Sequence, residues 1–487
     1  MAGPGIRYWE FSRLLSREMS VILAAPLPLP SAVDQVELMS LDVDQPASLE
    51  KAARAADVVV ASGYLLRSFP FLLSIETPLV IDAYIPYPLE VLELSTEYSF
   101  VDQITSCADA LSTVVLQFMA GDFFICASER QRDLWLGLML AQGRINPQTY
   151  AEDRTLRHLI DVVPFGLPGQ PPRHEKRVLR GVNPAVKEGD RVILWGGGIW
   201  QWLDPLTLIS AMPRILDQRR DVRLFFPGTR PPHANEVPDM QMRQEAIELS
   251  DELGLTGEYV IFGDWMPYED RQSYLLEADV GVSLHFDTLE SRFAFRTRLL
   301  DYFWAGLPTV ATQGDPLSEL VEQHNLGCVV GPEDVEGVAN AILQLLAIPN
   351  LSDVYRPRFN AVTTQLTWPQ VVEPLTRFCH EPKRALDQWG SDKSIYQAWI
   401  GGLQRESRRS AEAQISHLER HVETLEKIIR DRDGHIQTLK SVIRNLEEMI
   451  GARDAHVVQL TQVIEEHNKR LPAKVYRALK QLWGQQR

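Results

Sequence analysis

A chain of 487 residues with 45% hydrophobic content is long enough for two or three globular domains. Its net charge of −16 argues against nucleic acid as a partner, because phosphate contacts need a basic face. The four cysteines form no CxxC pair, no apolar run reaches the roughly 20 residues of a membrane span, and no basic-then-apolar leader is present, so a reducing cytoplasmic location is expected.

The first residues, Gly3-Pro4-Gly5-Ile6-Arg7, read as a glycine-rich loop opening an amphipathic helix with Tyr8, Phe11, Leu14 and Leu15 on its apolar face. In a doubly wound α/β domain such a loop follows the central strand. Two readings follow: a first strand encoded upstream of Met1, or a short natural start whose loop caps the helix. Short apolar runs then predict strands at Val21–Ala25, Asp57–Ala61, Leu79–Asp82, Phe123–Ala127 and Asp161–Val163. Continuous rather than alternating runs mean a parallel sheet covered on both faces. Helices are expected at Ser48–Ala56, capped by Ser48, and at Arg130–Gln142, after Ser128-Glu129. Asp82 ends a strand, where such folds place ligand groups, and equally suits a turn. Ser128 reads either as a helix cap or as a site residue.

The proline-rich polar stretch 168–187 is a linker into a second α/β unit. That unit opens with a strand, Arg191–Leu194, running into Gly196, Gly197 and Gly198, where backbone without side chains admits a ligand closely. A helix from Asp204-Pro205 follows. Further strands are expected at Val222–Phe226, ending near Gly228, at Val260–Phe262, at Asp279–Leu284 beside a lone His285, and at Cys328–Val330. A helix should cover Val335–Leu346, and a closing helix Trp368–Phe378.

The chain is organised around residues 290–315, ESRFAFRTRLLDYFWAGLPTVATQGD. An arginine-bearing loop should enter a short helix, Thr297–Trp304, then a turn at Ala305-Gly306-Leu307-Pro308 and a buried strand, Thr309–Ala311. Arg296 and Arg298 lie where backbone N–H groups of the helix start and guanidinium forks would suit a diphosphate. Asp301, one turn on, is placed to accept from a ribose diol.

This stretch resembles the donor-site signature of family-4-type retaining GT-B glycosyltransferases, in which two acids precede an A-x-G-x-P turn. Asp301 stands at the second acid and Phe293 at the first, so that acid is missing; Glu290 has the wrong spacing to replace it. Arg298, Asp301 and Tyr302 resemble a variant with a basic residue before the acid and a tyrosine after it. The resemblance implies an α/β fold of two Rossmann-like domains facing a cleft: an acceptor-side domain over 1–166, a linker over 167–188 and a donor domain over 189–400. It places Gly3, Gly5 and Arg7 in an acceptor-side glycine loop. The loop carrying Trp265 would lie over the nucleobase, with Gly196, Gly197, Gly198, Gly228, Arg296, Arg298 and Asp301 as further donor contacts. Asp82, Arg296 and Arg298 take the catalytic roles. The implied reaction keeps anomeric configuration and uses no metal or cofactor.

From Ile415 the character changes. Ile415, Val422, Ile429, Ile436, Ile443, Ile450, Val457 and Ile464 recur every seven residues, and Leu418, Leu425, Leu439, Leu446 and Leu460 fill a second seam. Arg432, Arg453 and His467 interrupt that second seam. The pattern predicts a coiled coil over 401–471, its seam from Ile415 running about 85 Å and favouring a parallel homodimer, with a trimer left open. Residues 472–487 are basic and amphipathic, suited either to an anionic inner membrane surface or to a solvated helix end. Two functions remain in view. One is a hexose-transferring enzyme that uses a nucleotide-sugar donor and a glycan or lipid-linked acceptor, for cell-surface polysaccharide synthesis. The other is a GT-B pair that has lost catalysis and serves as a scaffold through the rod. A sugar-nucleotide epimerase on the same fold has no residue pattern to single it out.

Overall fold

The computed structural model describes residues 3–26, 35–62, 64–228, 240–388, 393–470 and 473–483, with backbone alone over 393–419. The chain divides into two units, Met1–Gly390 and Ser391–Arg487.

Among the described residues, twelve short strands build the first unit. They are β1 Val21–Ala25, β2 Val36–Ser40, β3 Val59–Ala61, β4 Leu79–Asp82, β5 Phe123–Cys126, β6 Ile160–Val162, β7 Arg191–Leu194, β8 Val222–Phe226, β9 Val260–Phe262, β10 Val280–Ser283, β11 Thr309–Thr312 and β12 Gly327–Val330. All pair in parallel, and β4, β5, β8, β10 and β11 are buried along their whole length. The expected continuous apolar runs therefore have helices on both faces.

Strands β7–β12 form one sheet in the order β12-β11-β10-β7-β8-β9. That is the doubly wound order, and its direction reverses between β7 and β10, where the crevice at the strand ends receives a ligand. In the first half, β1 and β2 form a two-stranded sheet and β3-β4-β5-β6 a four-stranded one. Among the described residues no strand joins the two.

The glycine-rich opening is a correction: Gly3 and Gly5 lie inside a helix, Gly3–Leu15, and not in a loop before it. Proline and glycine are tolerated in a first turn, and tertiary anchoring outweighs their poor propensity. The anchor is Arg7, 1% exposed. Its Nε and Nη2 donate to both carboxylate oxygens of Asp82 at 2.8 and 3.0 Å. The remaining N–H groups reach Pro164 O at 2.9 Å and Val163 O at 2.8 Å. Phe11 and Tyr84 flank the guanidinium at 4.5 and 4.6 Å. The helix, the end of β4 and the exit from β6 are thus tied by one side chain.

Other boundaries shift for local reasons. The second helix is Ala47–Ala55, after Pro46, and Ser48 makes no cap. Ser128 does cap its helix, Glu129–Ala141, accepting from Gln131 N at 3.2 Å. Asp204 caps Pro205–Gln218 in the same way. Residues 289–293 form a short helix, not a loop, because Thr288 caps it through Ser291 N. The closing helix breaks at Val372, before Pro374, into Trp368–Val371 and Glu373–His380. It does return to the first domain: Phe378 stacks on Phe123 at 4.7 Å, and Trp368 packs on Phe165 at 4.7 Å.

The second unit holds one helix of 78 residues, Lys393–Arg470, and a second helix, Ala473–Trp483. Leu471 and Pro472, where a proline is expected to break the rod, and the side chains of Ile415 and Leu418 lie outside the described residues.

The Arg7–Asp82 pair is buried on both sides, so removing one partner strands a charge. Arg7→Ala should lower unfolding stability by about 3–5 kcal/mol, as measured by urea denaturation of the whole chain. A wild-type midpoint in that variant would show that the anchor is not Arg7.

Candidate donor site at the sheet switch point

The site is built on Tyr302, in the helix Thr297–Ala305. Its ring is fully buried. The hydroxyl accepts from Gly196 N at 2.6 Å and faces the carbonyls of Val282 and Leu194 at 2.9 and 3.1 Å. A methyl group at Gly196 would come within 2.9 Å of the ring, and one at Gly281 within 2.7 Å. Glycine at 196 thus serves the packing of Tyr302. Gly197 differs: its φ is +100° and an added Cβ would meet nothing within 4 Å. The helix ends as expected, with Gly306 at φ +66°.

One turn before Tyr302, Arg298 donates from Nη2 to Gly198 O at 2.9 Å, and its guanidinium lies over the Trp195 ring at 4.6 Å. Nη1 is buried without a hydrogen-bond partner. Burial, helped by the neighbouring Arg296 charge, lowers its pKa to about 10. A cation with an unmet donor beside a bare glycine turn suits an anion.

Arg296 is committed elsewhere. Nη1 and Nη2 meet the Glu290 carboxylate at 3.1 and 2.5 Å, and Nη2 also reaches Ser291 Oγ at 3.1 Å. Both residues are buried. Arg296 Nε is likewise buried without a partner, so the two arginines differ in charge pairing rather than in unmet donors: Arg296 neutralises Glu290, whereas Arg298 has no acid partner among the described residues. Asp301 accepts from Arg271 Nε at 3.3 Å, with 40% of its side chain exposed. Arg271 is sandwiched between Tyr268 at 3.7 Å and Trp304 at 4.8 Å. Gly228, at φ +78°, faces Trp265, whose ring lies 3.2 Å from where a Cβ would stand. Trp265 is 37% exposed. Trp200 and Trp202 stack after the glycine turn, centroids 5.6 Å apart.

Asp82 and Arg7 form the structural pair already described and take up each other's charge. His285 is likewise enclosed, with Nδ1 on Phe286 O at 2.9 Å and Nε2 3.5 Å from Asp315 Oδ2.

Sequence reading missed Arg271, which lies 30 residues from its partner Asp301 in a segment without a motif. It also missed Gln131, fully buried between the two domains. Its amide nitrogen donates to Tyr84 O at 2.9 Å and to Phe293 O at 2.8 Å. Its neighbour Arg130 reaches Gly314 O and Glu319. Tyr84 also meets Phe295 edge-on at 6.4 Å. The crevice at the β7/β10 strand ends therefore faces the first domain.

Residues 190–347 match the family described as Glycosyl transferases group 1. By structure, the chain is similar to a sucrose-phosphate synthase from Thermosynechococcus elongatus, at 15% identity and a TM-score of 0.55, covering 78% of this chain and 93% of that one. WaaG, a glycosyltransferase involved in lipopolysaccharide biosynthesis, is similar at 14% identity and TM-score 0.53, covering 78% and 96%. Anabaena HepE in complex with UDP is similar at 14% and 0.51, covering 78% and 98%. The fold is that of a GT-B glycosyltransferase. A curated relative, a chitobiosyldiphosphodolichol beta-mannosyltransferase from Candida albicans, is 28% identical over 88 residues. That match spans 18% of this chain and 19% of the relative.

Across the domain interface, burial and then the negative charge of Glu290 push the Glu90 carboxyl up to about 7, with Arg296 opposing. A raised carboxyl stabilises the fold fully below the unfolded value of 4.5, and that contribution is lost as pH rises through about 7. The midpoint of thermal unfolding should fall between those pH values in the wild type and change less in Glu90→Gln. Parallel pH profiles for the two proteins would remove Glu90 as the cause.

Proposed function

We propose that this protein is a glycosyltransferase that moves a hexose from a nucleotide-sugar donor to a glycan or lipid-linked acceptor. The reading rests on Arg298, a buried guanidinium with one unmet donor edge beside Gly197 and Gly198 at the sheet switch point. The match of residues 190–347 and the mannosyltransferase relative support it.

In this proposal the diphosphate lies along the glycine turn, and the Trp265 loop covers the base. Asp301, held by Arg271, accepts from the ribose. As the bond between the anomeric carbon and the diphosphate oxygen breaks, negative charge grows on the leaving group. Arg298 and the N–H groups at the start of its helix stabilise that charge without a resident metal. Asp82, committed to Arg7, acts here as a positioning residue for the acceptor-side domain. We propose retention of anomeric configuration, a cytoplasmic setting and a role in cell-surface polysaccharide synthesis. The long helix pairs as a parallel homodimer.

One observation favours the scaffold reading. Arg296 and Asp82, both expected to be catalytic, are consumed by buried ion pairs. Nucleotide binding separates the two readings. UDP, GDP or dTDP at about 100 times its dissociation constant should stabilise the chain by about 2.7 kcal/mol. The shift in melting temperature should vanish in Arg298→Ala and weaken in Asp301→Ala. Absence of a shift with all three nucleotides would leave the scaffold reading standing.

A further inference from the structure

Among its described residues the second unit carries two exposed apolar faces. On the Lys393–Arg470 helix, the seam residues from Val422 to Ile464 are 43–59% exposed. On Ala473–Trp483, the exposed residues are Val475 (44%), Leu479 (50%), Leu482 (66%) and Trp483 (75%). Their spacing puts these four on one side of the helix.

The chemistry of the two faces differs. The long seam matches a second copy of itself. Arg432 and Arg453 each precede an aspartate, Asp433 and Asp454, at the position beside the seam. In a parallel, in-register pair, each seam arginine comes within reach of the following aspartate of the other copy. An antiparallel pair sets it opposite Ile or Val instead. Charge pairing therefore selects parallel strands, and parallel strands deliver both Ala473–Trp483 helices to the same end of the rod.

The short helix matches a surface of opposite charge. Lys469, Arg470, Lys474, Arg477, Lys480 and Arg487 stand in a stretch with no acid, in a chain whose net charge is −16. Exposed tryptophan and leucine beside lysine and arginine suit the boundary between headgroups and acyl chains of an anionic bilayer. At 11 residues the helix is too short to span, and no helix among the described residues is long and apolar enough to cross a membrane. A single helix of this size holds weakly and reversibly, whereas two joined at one end bind with an effective concentration set by the rod.

We infer that Ala473–Trp483 docks the protein on an anionic bilayer surface, and that docking requires the paired rod. The inference rests on the homodimer part of the proposed function and is independent of the donor site. The test is flotation of the full chain with phosphatidylcholine vesicles, with and without about one-third phosphatidylglycerol, alongside sedimentation for oligomeric state.

The wild type should sediment as a dimer and float only with the anionic vesicles, less so in high salt. Leu479→Glu combined with Trp483→Glu should stay dimeric and lose flotation. Ile443→Asp combined with Leu446→Asp should become monomeric and bind vesicles at least about tenfold more weakly. Equal flotation on both vesicle types, or by the Leu479/Trp483 variant, overturns the docking. Undiminished flotation by the monomeric variant overturns its dependence on pairing. A monomeric wild type removes the homodimer reading, whereas a dimeric wild type that stays at the bottom removes the docking alone.

Discussion

Tyr302 occupies a slot that exists only because residues 196 and 281 have no side chains. Its ring packs on Gly281 of β10 and on Gly196 just after β7, the two paired strands where the sheet order reverses. Its hydroxyl ties the glycine turn to both strands. Everything proposed for the donor site hangs from this contact. Arg298 is one turn earlier on the same helix and therefore arrives over Trp195 and beside Gly198. Asp301, the preceding residue, points to Arg271 instead. A buried hydroxyl bonded to backbone at both strands is a rigid mount, and a site meant to stabilise developing charge needs rigidity more than reach.

Charge is sorted accordingly. Arg7 and Arg296 sit in bidentate pairs with Asp82 and Glu290, with each partner carboxylate buried. Such pairs gain little stability over an apolar packing but fix geometry, and losing one partner is costly. Arg7 positions the first helix, Gly3–Leu15; Arg296 fixes the Leu289–Phe293 helix. Arg298 has a π face, one carbonyl and a vacant donor edge. Three arginines that look alike in sequence thus separate into two that hold the frame and one equipped to receive an anion.

Much of this was legible beforehand. The second domain reads clearly because each of its strands is a short apolar run bounded by glycine, proline or aspartate, and the helix Val335–Leu346 falls where expected. Gly306 and Pro308 marked their turn for the right reason. Gly196 was marked for another reason, since glycine records only that something approaches closely, and here that is Tyr302 rather than a ligand. The start of the chain misled because local propensity argues against helix at Gly3-Pro4-Gly5, and the opposing term, Arg7 meeting Asp82, spans 75 residues. The helix Phe100–Ala120 escaped notice because its β-branched residues blur the period. Arg271 and Gln131 carry no local signal at all; only tertiary packing gives them partners.

The missing first acid bears on this last point. Phe293 stands where the resembled signature has a glutamate, and the carbonyl of that residue is what Gln131 grips from the other domain. The backbone at position 293 thus keeps its place in the domain contact whatever its side chain. Glu290 does not take over the lost acid, because both of its oxygens face Arg296. Glu290 and Arg296 thus neutralise each other within the Leu289–Phe293 segment and its exit. Among the described residues, the cation held on the glycine turn is Arg298, through Gly198 O. That arrangement makes Arg298 the residue on which the proposed donor recognition turns.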